Sequence, residues 1–205
     1  MNKIKAIIFD WGGVCCKEGE PFASKALQKK LKLNPDQIAE KVSNIYTGYY
    51  VGKYDKDPFW RSVINFFNLK EDSEINPETL SGAYLNSYEV YDDILDLILK
   101  LKKEYKIGLL SNLTPEMKNR IVSAHNLEKY FDAMVFSCDN NAASMKPDNK
   151  PYEVILEKLG LKAGQCLFID NSFKNVEAAE KIGMKTLFFT DKNKFFKDIS
   201  DMLFI

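Results

Sequence analysis

Ala6-Ile7-Ile8-Phe9 runs without a polar break into a carboxylate, Asp10, and then Trp11-Gly12-Gly13-Val14. A stretch that is apolar at every position predicts a strand covered on both faces. Such strands belong to parallel sheets better than to half-exposed hairpins. Asp10 then stands at the strand's carboxyl end, the edge where open α/β sheets bind ligands. Gly12 and Gly13 let the backbone turn tightly and come close to a ligand. Asp and Gly are also ordinary turn residues, so this stretch alone equally suits a buried strand with a turn behind it.

The chain uses the same device again. Ile107–Leu110 reads as a buried strand ending at Ser111-Asn112, and Cys166–Ile169 as one ending on Asp170. Ala133–Phe136 and Thr186–Phe189 are further short apolar strands. Helices fall between them. Asp92–Tyr105 places Ile94, Leu95, Leu97, Ile98 and Leu101 at three- and four-residue intervals. Thr114-Pro115-Glu116 supplies a cap, a first-turn proline and an acid for a helix reaching about His125. Tyr152–Leu159 closes at Gly160, Val176–Ile182 stops at Gly183, and Lys194–Leu203 is a final helix. The polar run from Asp139 through Asn149 reads as a loop. This alternation predicts an α/β fold: a Rossmann-like parallel sheet of about five strands with helices on both faces. Right-handed crossovers put all the strands' carboxyl ends on one edge, so Asp10, Ser111 and Asp170 are expected to converge.

Residues 15–91 break the pattern. Their apolar residues recur at helical spacing, with no buried strand among them. Helices are expected over Pro21–Leu31, from Asn34-Pro35 through Ile38, Val42 and Ile45, over Phe59–Leu69, and from Pro77 to Leu85. Gly48 to Gly52 reads as a break between helices. The chain thus divides into an α/β core, 1–14 with 92–205, and a small all-helical domain, 15–91. Tyr46, Tyr49 and Tyr50 of that insert either shape a pocket or pack inside it, and packing is the favoured reading.

Of 205 residues, 45% are hydrophobic and 28% charged, which is ordinary for a globular protein. Lys and Arg number 29 and Asp and Glu 29, so charge gives no support for a nucleic-acid partner. No run approaches 18 apolar residues, so no membrane span is expected. The amino terminus lacks a signal peptide's apolar run, and the cytoplasm is the expected location. Cys15, Cys16, Cys138 and Cys166 match no zinc or disulfide spacing. His125 is the single histidine, which leaves little for a Ser-His-Asp triad or a His-rich metal site.

Asp10 and Asp170 close together repel and raise one pKa, a cost that a bound divalent cation removes. Hard carboxylate oxygens suit magnesium. One oxygen of Asp10 is then free to attack an electrophile. Ser111 and Asn112 offer groups that hold anionic oxygens, and Lys146, late in the polar loop, neutralises charge. The set fits in-line phosphoryl transfer to a carboxylate, followed by hydrolysis.

In these residues the chain resembles the haloacid dehalogenase-like hydrolase superfamily, phosphatase branch, with a helical cap inserted after the first strand. The resemblance spans essentially the whole chain. It rests on Phe9-Asp10-Trp11-Gly12-Gly13-Val14, Leu110-Ser111-Asn112, Lys146-Pro147-Asp148 with Tyr152, and Phe168-Ile169-Asp170-Asn171-Ser172 followed by Asn175-Val176-Glu177-Ala178-Ala179. It implies Asp10 as nucleophile forming an aspartyl-phosphate, with Ser111 and Lys146 as its catalytic partners. Trp11, Gly12, Ser111, Asn112 and Lys146 are implied as substrate contacts. A magnesium ion is implied at Asp10, the Gly12 carbonyl, Asp170 and Asn171. The implied substrate is a small phosphorylated metabolite, with no nucleic acid or membrane involved and a monomer or homodimer acting.

Two positions depart from the family. Its phosphatases usually carry a second Asp, the general acid and base, where this chain has Gly12, and that help is typically worth about 10²–10⁴-fold. They also carry adjacent acids where this chain has Asp170-Asn171. Two other readings therefore stay open. Dehalogenases of the superfamily lack the second Asp and need no metal, but use an arginine for the halide. Arg61 and Arg120 are this chain's arginines, and neither matches that place. The other reading is a non-catalytic descendant that binds a ligand or partner.

Overall fold

The computed structural model describes residues 3–203. Ala6–Phe9 forms strand β1, buried at every position. Its side chains alternate between two apolar cores. Ile7 and Phe9 join one face with Ile107, Leu109, Leu167 and Ile169, while Ala6 and Ile8 join the other with Leu110, Val135, Cys166 and Phe168. This is what a period-2 strand apolar at every residue must do between two helical layers. The partner strands are β4 (Lys106–Ser111), β5 (Ala133–Phe136), β6 (Cys166–Asp170) and β7 (Lys185–Phe188). All pair in parallel, in the order β5-β4-β1-β6-β7. The expected Rossmann-like sheet is the observed one.

The core helices are α6 (Asp92–Leu101), α7 (Pro115–His125), α8 (Asn149–Leu159), α9 (Phe173–Lys181) and α10 (Lys192–Leu203). Thr114 caps α7 by accepting from the Met117 N–H, and Gly160 ends α8 in the left-handed conformation.

The insertion carries α1 (Lys25–Leu31), α2 (Pro35–Lys41), α3 (Ser43–Tyr50), α4 (Lys56–Phe66) and α5 (Pro77–Leu85). Three expectations need correction. The first helix begins at Lys25, not Pro21, because the Ser24 side chain accepts from the Leu27 N–H and fixes the start there. The helix from Asn34 breaks at Val42, and α3 then runs through Gly48 to Tyr50, so the turn comes at Val51-Gly52. Gly52 has φ +74°, and a Cβ there would stand 2.7 Å from the Cys138 carbonyl oxygen of the core. The insertion also begins and ends in a two-stranded antiparallel ribbon, β2 (Cys16–Lys17) with β3 (Glu89–Val90). Strands of two residues are too short to show a period.

Candidate active site

β1 lies between β4 and β6, so Asp10 emerges between Ser111 and Asp170 at the edge where the strand order reverses. Lys146 arrives on the loop before α8. Its ammonium donates to Asp170 Oδ2 at 2.6 Å and to the Leu110 carbonyl at 2.9 Å, and lies 3.0 Å from Asp10 Oδ1. A lysine has three N–H donors, and these three acceptors use them all. Asn112, expected among the substrate contacts, lines the cavity. Its Nδ2 donates to the Lys146 carbonyl at 3.0 Å, and its Oδ1 accepts from the Lys146 N–H at 2.8 Å. That side chain clamps the lysine loop.

Asp10 Oδ1 also accepts from the Trp11 N–H at 2.7 Å, which fixes the carboxylate's rotation. Burial raises the Asp10 pKa; the Lys146 charge and the Ser111 hydroxyl oppose it, the Asp170 charge adds to it, and the result is about 7. Burial alone would lower the Lys146 pKa, but the two carboxylates outweigh it and hold the ammonium charged. One ammonium thus faces two carboxylates, and the buried set favours additional positive charge.

Asp170 was expected to bind metal. It is fully buried and does not line the cavity above Asp10. Its Oδ1 accepts from the Ser172 N–H at 2.7 Å and Asn175 Nδ2 at 3.1 Å. Its Oδ2 accepts from Lys146 and from Asn175 Nδ2 at 3.0 Å. All of these contacts place Asp170 against the lysine ammonium, which it holds in this arrangement. Asn175 was missed as its partner; the signal was a polar residue in the first turn of α9 behind the end of β6. Asn171 does line the cavity. A Cβ on Gly13 would stand 2.1 Å from Asn171 Nδ2, and Gly13 has φ +78°. Both facts require glycine there.

The cavity measures about 150 Å³. The core supplies Asp10, Trp11, Ser111, Asn112, Lys146 and Asn171 to its wall. The insertion supplies Tyr50, Tyr84, Tyr88 and Glu18. Of the three tyrosines singled out in the sequence, Tyr50 reaches the cavity. Tyr49 stacks on Phe59 with centroids 4.0 Å apart, and Tyr46 packs on Phe22 and Tyr50. Tyr84, Tyr88 and Glu18 were missed, because nothing in helical spacing tells which side of an insertion faces the sheet edge. The Glu18 side chain is solvent-exposed at the mouth, yet the protein around it strips enough water to raise its pKa, against the Lys146 charge. Cys15 and Cys16 are buried thiols whose pKa burial pushes up, which leaves them poor nucleophiles. His125 bonds to Tyr88 OH at 2.8 Å and lies outside the cavity lining.

A family model for haloacid dehalogenase-like hydrolases matches residues 4–183. The chain belongs to this family of hydrolases. Flavin mononucleotide hydrolase 1 of Arabidopsis thaliana is 30% identical to it over 67% of the chain, which spans 55% of that relative. D-ribitol-5-phosphate phosphatase of Bacteroides thetaiotaomicron is 25% identical over 89% of the chain and 90% of its own length. An (S)-2-haloacid dehalogenase of Pseudomonas putida is 23% identical over 97% and 90%. Among solved structures, the fold matches the HAD-family enzyme bt-2542 of B. thetaiotaomicron, solved with magnesium and inorganic phosphate. The TM-score is 0.77 at 20% identity, over 94% of this chain and 99% of that one.

Proposed function

We propose that this hydrolase is a phosphatase that cleaves a small phosphoric monoester through an aspartyl-phosphate on Asp10. The observation that carries the reading is the fixed Asp10 carboxylate: one oxygen is held by the Trp11 N–H and Lys146, and Ser111 stands beside it in the cavity. With Oδ1 so held, Oδ2 attacks phosphorus. The P–O bond to the leaving group breaks, and water then cleaves the Asp10–phosphorus bond. Ser111 holds a phosphoryl oxygen. Lys146, its donors already committed, keeps Asp10 ionised and oriented. The tyrosines of the insertion cover the cavity and exclude water during transfer. A cavity of about 150 Å³ suits a small phosphorylated metabolite better than a nucleotide in this closed arrangement.

Magnesium fits this site on the charge of its residues. Two carboxylates share one ammonium, and burial, with the Asp170 charge adding to it, raises the Asp10 pKa. Among the described residues no three His, Cys, Asp or Glu side chains gather into a metal cage. Asp10, Asp170 and Asn171, with the Gly12 carbonyl, would hold the ion. That is a sparse set, of the kind magnesium completes with water and substrate oxygens. When bound, it screens the phosphoryl charge.

Sugar phosphates, nucleotides and phosphoglycolate, each with magnesium, test the reading. Turnover is expected in the wild type and a loss on the order of 10⁴-fold or more in Asp10→Asn. Undiminished turnover in that variant ends the proposal. The dehalogenase reading gains nothing from the arginines: Arg61 pairs with Glu71 on the surface, and neither Arg61 nor Arg120 lines the cavity. Chloride release from a 2-haloacid without metal would reverse that judgement.

A further inference from the structure

Position 12 has no side chain, yet the room that a side chain would fill is occupied. A Cβ built on Gly12 would stand 3.2 Å from Glu18 Cγ and 3.5 Å from Glu18 Oε1. The carboxyl group of Glu18 therefore lies within about one side-chain length of the place from which the family's usual acid acts. The backbone between them is a tied turn. The Cys15 and Cys16 N–H groups donate to the Trp11 carbonyl, and the Gly13 N–H donates to the Cys16 carbonyl at 2.8 Å. The ribbon β2–β3 then holds Cys16 and Lys17 against Val90 and Glu89, and the Glu20 N–H donates to Ser87 Oγ at 2.6 Å. The chain is thus folded back so that Glu18 faces Gly12 across the cavity mouth.

We propose that Glu18 is the proton donor and acceptor for the leaving group, acting in place of the carboxyl group that Gly12 lacks. The proposal rests on the phosphatase reading. Among the residues lining the cavity, Asp10 and Glu18 alone carry carboxyl groups. Asp10 is the nucleophile. Lys146 has no N–H to spare, and Asp170 lies behind the wall with both oxygens hydrogen-bonded. In the first step an Asp10 oxygen bonds to phosphorus. The ester P–O bond breaks, its electron pair passes to the leaving oxygen, and that oxygen takes the Glu18 proton. In the second step water attacks phosphorus and gives a proton back to Glu18. The Asp10–phosphorus bond breaks, its electrons return to the carboxylate, and phosphate departs.

Leaving-group dependence separates this role from a solvated charge at the rim. An alkyl phosphate expels an alkoxide that needs a proton, whereas 4-nitrophenyl phosphate expels a phenolate that does not. kcat/KM reports steps through departure of the leaving group. For Glu18→Gln it is expected to fall about 10²–10⁴-fold on the alkyl ester and to stay within a few-fold on the nitrophenyl ester. That ester should now give a burst of nitrophenol, since the second step has lost its base. Placing Asp at position 12 in a Glu18→Ala background (Gly12→Asp with Glu18→Ala) should restore part of the alkyl-ester turnover. Equal losses on both esters, or none on either, would overturn the assignment. If the wild type hydrolyses both and Asp10→Asn neither, that failure belongs to Glu18 alone. If the wild type hydrolyses neither, the phosphatase reading falls and takes this one with it.

Discussion

The two walls of the cavity are built differently. On the core wall Asp10 is held by the Trp11 N–H and Lys146, and Lys146 by three acceptors, while Asp170 behind it is held by four contacts. The insertion is made of helices of 7 to 11 residues. A few polar contacts tie it to the core. Trp60 Nε1 and Ser81 Oγ donate to the Glu116 carboxylate at 3.1 and 2.5 Å, Ser137 Oγ donates to the Tyr50 carbonyl at 2.6 Å, and Thr114 Oγ1 lies 3.3 Å from Tyr84 OH. The core wall is fixed to the precision that a nucleophile needs. The other wall meets the core at these polar points and through an apolar cluster that it shares with one face of the sheet.

The largest effect that tests this contrast is on Lys146. Lys146→Met leaves two carboxylates buried side by side without their cation. It is expected to cost roughly 3–5 kcal/mol in chemical denaturation, as for other broken buried pairs. The penalty should grow as pH rises through the Asp10 pKa of about 7 and that carboxyl ionises. A loss under about 1 kcal/mol would mean that the core wall is no more constrained than a surface.

Glu116→Ala attacks the join instead. It strips the acceptor from Trp60 and Ser81, both buried, and an orphaned buried donor costs about 1–3 kcal/mol. Hydrogen exchange should quicken in α4 and α5 while the strands stay protected. Uniform quickening across sheet and insertion would show that the two regions open as one unit.

How far the sequence carried differs between the regions for the same reason. Ala6–Phe9, Ile107–Leu110 and Cys166–Ile169 are legible because a strand buried on both faces has no polar position. The end of such a run marks the ligand edge. Asp10, Ser111 and Asp170 were therefore readable as strand ends and Lys146 from its place late in a polar loop, and the structure brings the four together. The partners of Asp170 were not readable, since whether a carboxylate faces a cavity or a lysine depends on a rotamer and a helix start. Glu116 was read only as an acid in a helix's first turn, because its partners lie 56 and 35 residues away. Glu18 was overlooked because its neighbour in space is a glycine, which leaves no pattern of its own.

The smallest effect lies far from the cavity, in the loop before α5. Asp72 Oδ1 accepts from the Glu74 and Ile75 N–H groups at 2.9 and 2.8 Å, and its Oδ2 pairs with Lys30 at 3.0 Å. The Lys30 contact first, and then the two backbone donors, lower its pKa from 3.8 to about 2. A carboxyl whose folded pKa is depressed contributes stability above its unfolded pKa and loses it as pH falls through the folded one. The Asp72 contribution is therefore full above about pH 4 and gone below about pH 2. Exposure screens it, so the effect is local. Amide exchange at Glu74 and Ile75, corrected for intrinsic rates, should rise relative to β1 as pH drops across that window. In Asp72→Asn that rise should be absent. If wild type and variant respond alike, acid loosens the insertion through other groups, and its tie to the core at Glu116 becomes the next place to look.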